Sequence, residues 1–479
     1  MQLRKLLVLT ILFITFYSQL KAQSNHYWTR NYGSESMLLS GSVVGGVTDL
    51  GAVYYNPARL ALTDNPAFLI SADVYELNTY TIKDAIGNQK DINKSSFGGA
   101  PSLAAGTIGA SRDSKHTFAY AVLLRTDNNF SFAYRDEYLS DVLPNIPGDE
   151  LFEGDINVEN ITKDHWFGGS WAYQAKSNLS FGLSLFGSRT ELAKGNSLQL
   201  TALDTDNEVS TYQYNRNYSV KTYGFLAKFG MAYKRDKLDF GLTMTTPRVN
   251  LLGSADYGYN LYFAPTSASP KGDIYANSYQ SDLDVTLKSP LSIGAGASYH
   301  FGKKKILHFS MEYFKKVHNY SIFEAEPHTM QSQPDSLVSF SLQDGLKSIM
   351  NMGIGAEWYI SEKVSGYASF STDFNAAPND AVSFVAQREV ASNLTFDANF
   401  FHLAGGVLLK FKGADFTLGA THTSGTTDFM KPTAFPDIND NTAPAGDQGS
   451  MLWNRWQFIV SVSVPFLKDY VKKMEEKIL

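Results

Sequence analysis

The sequence contains no cysteine, so neither a disulfide framework nor a lipid-modified N-terminal cysteine can hold or anchor the chain. Beyond its N-terminus it has no second long apolar run, which excludes helical membrane spans. The net charge is −6 and the basic residues are scattered, so there is no footprint for nucleic acid. Linkers rich in Pro, Gly or Ser that would divide 479 residues into soluble domains are missing too, and one large unit is expected. No G-x-S-x-G elbow, P-loop, dinucleotide fingerprint or H-E-x-x-H occurs, and His165, His300, His308 and His318 show no metal-ligand spacing. The expectation is a protein that is not an enzyme, with no cofactor and no metal centre.

What the chain has in quantity is aromatic residues, 14% of the total with 27 Tyr and 32 Phe, on a background of slightly polar mean hydropathy. A β-barrel in lipid produces that combination, because only alternate residues of each strand face lipid and aromatic girdles mark both interfaces. The N-terminus supplies the export route. Arg4 and Lys5 precede an apolar stretch from Leu6 to Tyr17 and a polar end at residues 18–22, the order of a cleaved signal peptide. Cleavage is expected after Ala22.

Strand-like alternation runs through most of the remainder. Trp456, Phe458, Val460, Val462, Val464 and Phe466 share one face, against Arg455, Gln457, Ser461 and Ser463 on the other. Leu307, Phe309, Met311 and Tyr313 alternate in the same way with His308, Ser310 and Glu312. Short polar turns stand at 111–115, 176–178, 234–237, 302–304, 361–363 and 412–413, with longer polar segments at 136–161, 196–217, 265–280, 321–345, 376–393 and 424–450 between them. Tight turns on one side and long connections on the other are the periplasmic and external ends of an outer-membrane barrel. Six tight turns join six strand pairs, and a first strand near 67–80 and a last near 452–466 bring the count to fourteen. The expected fold is all-β: a transmembrane antiparallel barrel over residues 67–466, inserted by the barrel assembly machinery.

Two pieces fall outside this meander. Residues 23–66 are irregular and rich in Gly and small residues, which suits a hatch in the lumen, where irregular backbone is tolerated. Residues 467–479 read as a short charged periplasmic helix with Tyr470, Met474 and Ile478 at near-helical spacing.

One stretch in the first piece, Tyr54-Tyr55-Asn56-Pro57-Ala58-Arg59-Leu60-Ala61 preceded by Gly51, resembles the N-terminal segment of the FadL/TodX family of outer-membrane long-chain fatty acid and hydrophobic-compound transporters. Arg59 stands where the family pattern has Gly. Gly241-Leu242 with Thr246-Pro247 and Leu251-Leu252-Gly253, Ser289-Pro290 with Ile293-Gly294-Ala295-Gly296, and Asn351 to Tyr359 resemble further family blocks. The resemblance implies a fourteen-stranded barrel, in agreement with the turn count, together with a lumenal hatch, an extracellular hydrophobic capture site and a lateral opening in the wall.

Several readings stay open at the level of residues. Tyr54, Tyr55, Asn56 and Pro57 form either a gating element of the hatch or a simple Asn-Pro turn. Leu139, Val142, Leu143 and Ile146 line a capture groove for the ligand or give a loop its own small core. The clusters at 204–208 and 437–440 lack the complete spacing of a calcium loop and read as solvated. For function, passive uptake of a hydrophobic small molecule or lipid competes with a non-transporting role as a subunit of an outer-membrane secretion or assembly complex, docked through the external loops or the C-terminal tail.

Overall fold

A computed structural model describes residues 26–63, 67–83, 90–108, 114–143, 146–267, 272–302, 304–376, 390–392, 398–430 and 448–464. The signal peptide, the C-terminal helix and the 437–440 cluster lie outside the described residues.

The strands on either side of each short turn named above pair as an antiparallel hairpin. The pairs are β2 (Ile92–Ile108) with β3 (His116–Ser140), β4 (Glu150–Lys176) with β5 (Leu179–Leu203), and β6 (Val209–Arg235) with β7 (Leu238–Thr245). β10 (Ser292–Phe301) pairs with β11 (Lys305–Phe314), β14 (Ile349–Ser361) with β15 (Val364–Asp373), and β17 (Phe400–Lys410) with β18 (Asp415–Met430). β1 (Phe68–Ile82) pairs with both β2 and β19 (Gln448–Val464), and β5 with β6, so the fourteen strands close into a ring. Closure leaves no strand at the end of an open sheet.

Alternation decides the two faces. On β11, Leu307, Phe309, Met311 and Tyr313 point outward while His308, Ser310 and Glu312 are buried inside. The outward set of the neighbouring strands, including Phe118, Val122, Phe167, Leu185, Phe229 and Phe458, forms the apolar band that a barrel presents to lipid. Val122 lies in that band at 54% exposure, whereas Asn128 on the same strand lines the lumen. Val122→Arg is expected to lower the yield of heat-resistant barrel on refolding into bilayers, by about 2 to 4 kcal/mol for a charge near mid-membrane. Asn128→Arg should fold nearly normally, and equal yields of the two would reverse the assignment of faces.

The long polar segments are where the reading of loops needs correction. Of these, 136–161, 196–217 and 321–345 are largely strand: β3 continues to Ser140 and β4 begins at Glu150, and β5 and β6 are joined only by residues 204–208. β8 (Val249–Ala264) and β9 (Ile274–Asp284) form a hairpin beside the upper part of β6. β12 (Val317–Met330) and β13 (Gln333–Leu346) form another, to which β16 (Val390–Ser392) adds in parallel. The reason is a second alternation that polar composition hides. Tyr212, Tyr214, Tyr218 and Val220 are buried at two-residue steps between exposed or half-buried polar neighbours, and they join Phe152, Ile156, Leu198, Phe323, Phe340 and Trp453 in an apolar cluster inside the projecting ribbons.

Candidate functional site

Residues 26–63 run inside the ring, with two short helices, α1 (Glu35–Leu38) and α2 (Ala52–Tyr55), and a 3₁₀ turn at Pro57–Ala61. Such short helices bury few hydrogen bonds of their own, so the wall must hold them. The Ser180 and Ser184 hydroxyls on β5 donate to the carbonyls of Ala58 (2.7 Å) and Val53 (2.8 Å). The Ser369 hydroxyl on β15 donates to Leu38 O at 2.8 Å, and Val44 N donates to Ser310 Oγ on β11 at 3.0 Å. Arg455 on β19 donates to Thr29 O at 2.9 Å. Close approach needs missing side chains as well. A Cβ at Gly241 would stand 2.0 Å from Val44 O, and one at Gly182 2.3 Å from Ala58 N.

Two arginines of the segment are buried against carboxylates of the wall. Arg30 faces Asp73 (3.0 Å), Glu76 (3.4 Å) and Asp127 (3.7 Å). Arg59, 1% exposed, pairs with Asp239 at 3.2 Å and donates through Nε to Val47 O. Arg59 therefore does what Gly could not at this position: it ties the turn to β7. Within the segment Asp49 accepts from the amides of Ser34, Ser36 and Gly51. Burial, reinforced by the charge of Asp49, pushes the Glu35 carboxyl above the usual carboxylate range.

Asn56 is fully buried. Its Nδ2 donates to Val44 O (2.9 Å) and to Met231 O on β6 (3.1 Å), while its Oδ1 accepts from Ala58 N (3.2 Å). Pro57 opens the 3₁₀ turn, where no N–H is needed. The Tyr55 hydroxyl accepts from Tyr32 N at 3.0 Å, and Tyr54 stacks obliquely on Tyr32 with 4.5 Å between ring centres. All four residues singled out in the sequence thus meet in one place.

Above them lies a cavity of ≈ 500 Å³. Tyr54, with Tyr27, Thr29 and Arg30, belongs to both the segment and the cavity lining. Trp166, Phe314, Phe400 and Trp453 supply rings from the strands, and Arg125, Lys228, Arg248 and Arg455 supply charge. Of these, only Arg455 was placed from the sequence, on the polar face of the last strand. The available signal was a basic residue at an inward position of a strand that continues into an apolar band.

The cavity meets the wall where the ladder is interrupted. β2 and β3 pair only from Leu103↔Leu123 to Ile108↔Phe118; beyond that, β2 keeps β1 as its partner and β3 keeps β4. Residues 96–100 on one edge of this seam and 126–129 on the other line the cavity. At the start of the unpaired stretch the β3–β4 register slips between Leu124 and Thr126, a bulge that leaves Leu124 and Arg125 buried in succession.

The other four residues singled out in the sequence lie apart from the cavity. Leu139 is 69% exposed near the tip of β3. Val142 is buried and Leu143 half-buried against the apolar cluster of the ribbons, their amides donating to Glu150 Oε2 at 2.8 and 3.2 Å. Ile146 closes the turn through its amide to Leu143 O.

No family profile and no curated protein sequence matches this chain. Solved structures do. A Pseudomonas aeruginosa FadL homologue superposes with a TM-score of 0.53 at 12% identity, over 93% of this chain and 100% of its own. The Pseudomonas putida toluene transporter TodX gives 0.52 at 13% identity, over 92% and 99%. The fold is that of the FadL/TodX barrels. A FadL-type barrel at so low an identity shares architecture, and what passes through it must be argued from its own lining.

Proposed function

We propose that this FadL-type barrel sits in the outer membrane, delivered by its signal peptide and the barrel assembly machinery, and passively takes up small hydrophobic or amphipathic molecules. The observation that carries the reading is the cavity reaching both edges of the β2–β3 seam. A lipid-soluble molecule gains little from a water-filled pore, since each methylene exposed to water costs about 0.8 kcal/mol. A side exit into the bilayer removes that cost. Residues 23–66 then act as the hatch, and Tyr54, Tyr55, Asn56 and Pro57 as its gating stretch. Long-chain fatty acids, which the resemblance implies, are one class of ligand within this range.

The test exploits the absence of cysteine. Ser96 and Asn128, which line the cavity from opposite sides of the seam, are replaced by cysteine and joined with a cleavable bifunctional reagent. Joining them should stop entry of a labelled hydrophobic probe into cells, and cleaving the linker should restore it. Undiminished uptake through the joined seam would remove the lateral route.

The subunit reading draws on one separate observation. Leu139 pairs with Leu151, Leu151 with Leu203 and Leu203 with Val209. Leu139, Leu151 and Val209 are exposed, giving an apolar row across the tips of four strands. If wild-type cells take up no probe while a stable complex depends on this row, the barrel is a docking platform and the uptake reading is wrong.

A further inference from the structure

We propose that the cavity is a binding site for a small aromatic carboxylate, held by its anionic group between Arg125 and Lys228 with its ring among Tyr27, Tyr54 and Trp166. This deepens the uptake reading and rests on it. Arg125 and Lys228 are 8% and 4% exposed, and what they retain is open to the cavity. Their charges reach one ring from the hatch segment: the guanidinium carbon of Arg125 lies 6.0 Å from the centre of Tyr54, and Lys228 Nζ lies 4.6 Å from it. Among the described residues neither side chain donates a hydrogen bond or has a carboxylate within 4.0 Å.

The cavity offers no internal anion to spare. Eight basic side chains line it against four carboxylates, so its field is positive. Each carboxylate is engaged elsewhere. Glu76 and Asp127 face Arg30; Glu312 accepts from Trp28 Nε1 at 2.9 Å and the Ser292 hydroxyl at 2.6 Å; Asp164 accepts from the Thr190 hydroxyl at 2.9 Å and Trp166 Nε1 at 2.8 Å. An entering neutral hydrocarbon would strip water from two buried cations and return nothing, which is strongly unfavourable. A carboxylate replaces that water with charge-assisted bonds, in the paired geometry a guanidinium favours.

Shape and surroundings select the body of the ligand. Tyr54, Tyr27 and Trp166 surround Arg125 with ring centres 6.0, 6.0 and 5.8 Å from its guanidinium carbon, so the apolar surface nearest the charge is aromatic. The volume of ≈ 500 Å³ is in the range of pockets that enclose small molecules. The bulge at Arg125 is what aims this side chain inward, and the hatch segment braces it: the Tyr32 hydroxyl donates to Leu124 O at 3.1 Å.

The test measures binding apart from flux. Full-length protein purified in an uncharged detergent is titrated calorimetrically with benzoate, toluene and palmitate, for the wild type and for Arg125→Gln, Lys228→Gln and Lys228→Arg. Benzoate should bind most tightly, weaken about tenfold or more in each Gln variant, and recover in Lys228→Arg, while toluene, freed of the cost of desolvating a cation, binds no more weakly in either Gln variant. Heat-resistant migration checks each barrel, and if Arg125→Gln does not fold the two Lys228 variants decide. The proposal is overturned if the wild type binds no benzoate, if toluene or palmitate binds more tightly, or if the Gln variants bind benzoate unchanged. A seam that transports nothing yet binds benzoate would instead overturn the uptake reading alone.

Discussion

Replacing Arg30 by methionine should cause a large loss of stability. Its guanidinium serves three carboxylates on β1 and β3, Asp73, Glu76 and Asp127, and also donates to Asp127 O at 3.3 Å. Removing one side of a buried ion pair leaves uncompensated charge and costs about 3 to 5 kcal/mol. Gln457, which donates to Asp73 and Glu76 at 3.0 Å each, supports the carboxylates but brings no charge. The temperature at which the folded barrel loses its compact migration should fall clearly, and Asp73→Asn in the same chain should recover part of the loss. An unchanged transition temperature in Arg30→Met would show that the cluster contributes nothing to holding the segment.

Asn56→Ala with Pro57→Ala should act on the lumenal segment 26–63 and spare the ring. The alanine leaves Val44 O, Met231 O and Ala58 N without the partners Asn56 gives them, at about 1 to 3 kcal/mol for each buried group left unsatisfied. None of these bonds belongs to the strand ladder. Heat-resistant migration should therefore persist, while single-channel conductance and uptake of a labelled hydrophobic probe both change. Loss of the folded barrel would make the two residues structural; a persistent barrel with unaltered conductance would deny them a gating role.

The tight turns were the most readable part of the sequence, because a turn of two to five polar residues between alternating segments has few other structures open to it. Six such turns led to fourteen strands, and the ring has fourteen. Composition misled where polarity stood for position. Segments such as 196–217 looked like loops because the outer face of β5 and β6 is polar there, and the buried row from Tyr212 to Val220 was overlooked. The polar face of β19 is packed rather than solvated, with Ser461 1% exposed. Small inward residues at two-residue spacing, as in Ser180, Gly182 and Ser184, mark where the backbone of residues 26–63 lies against the wall. The bulge at Arg125 had no signal at all: Leu123-Leu124-Arg125 fits either register, and only the pairing with β4 shows the slip.

The uneven ladder also bears on how the ring yields. β1 is zipped to β19 along almost its whole length, from Phe68↔Val464 to Ile82↔Met451, so the junction between the first and last strands is not a weak point. The short run between β2 and β3 is. Local opening in a protein follows the places with fewest hydrogen bonds to break, and here that place is in the wall beside the cavity. Thermal fluctuation of the barrel is thereby expected to concentrate beside the cavity, while the first and last strands stay clasped.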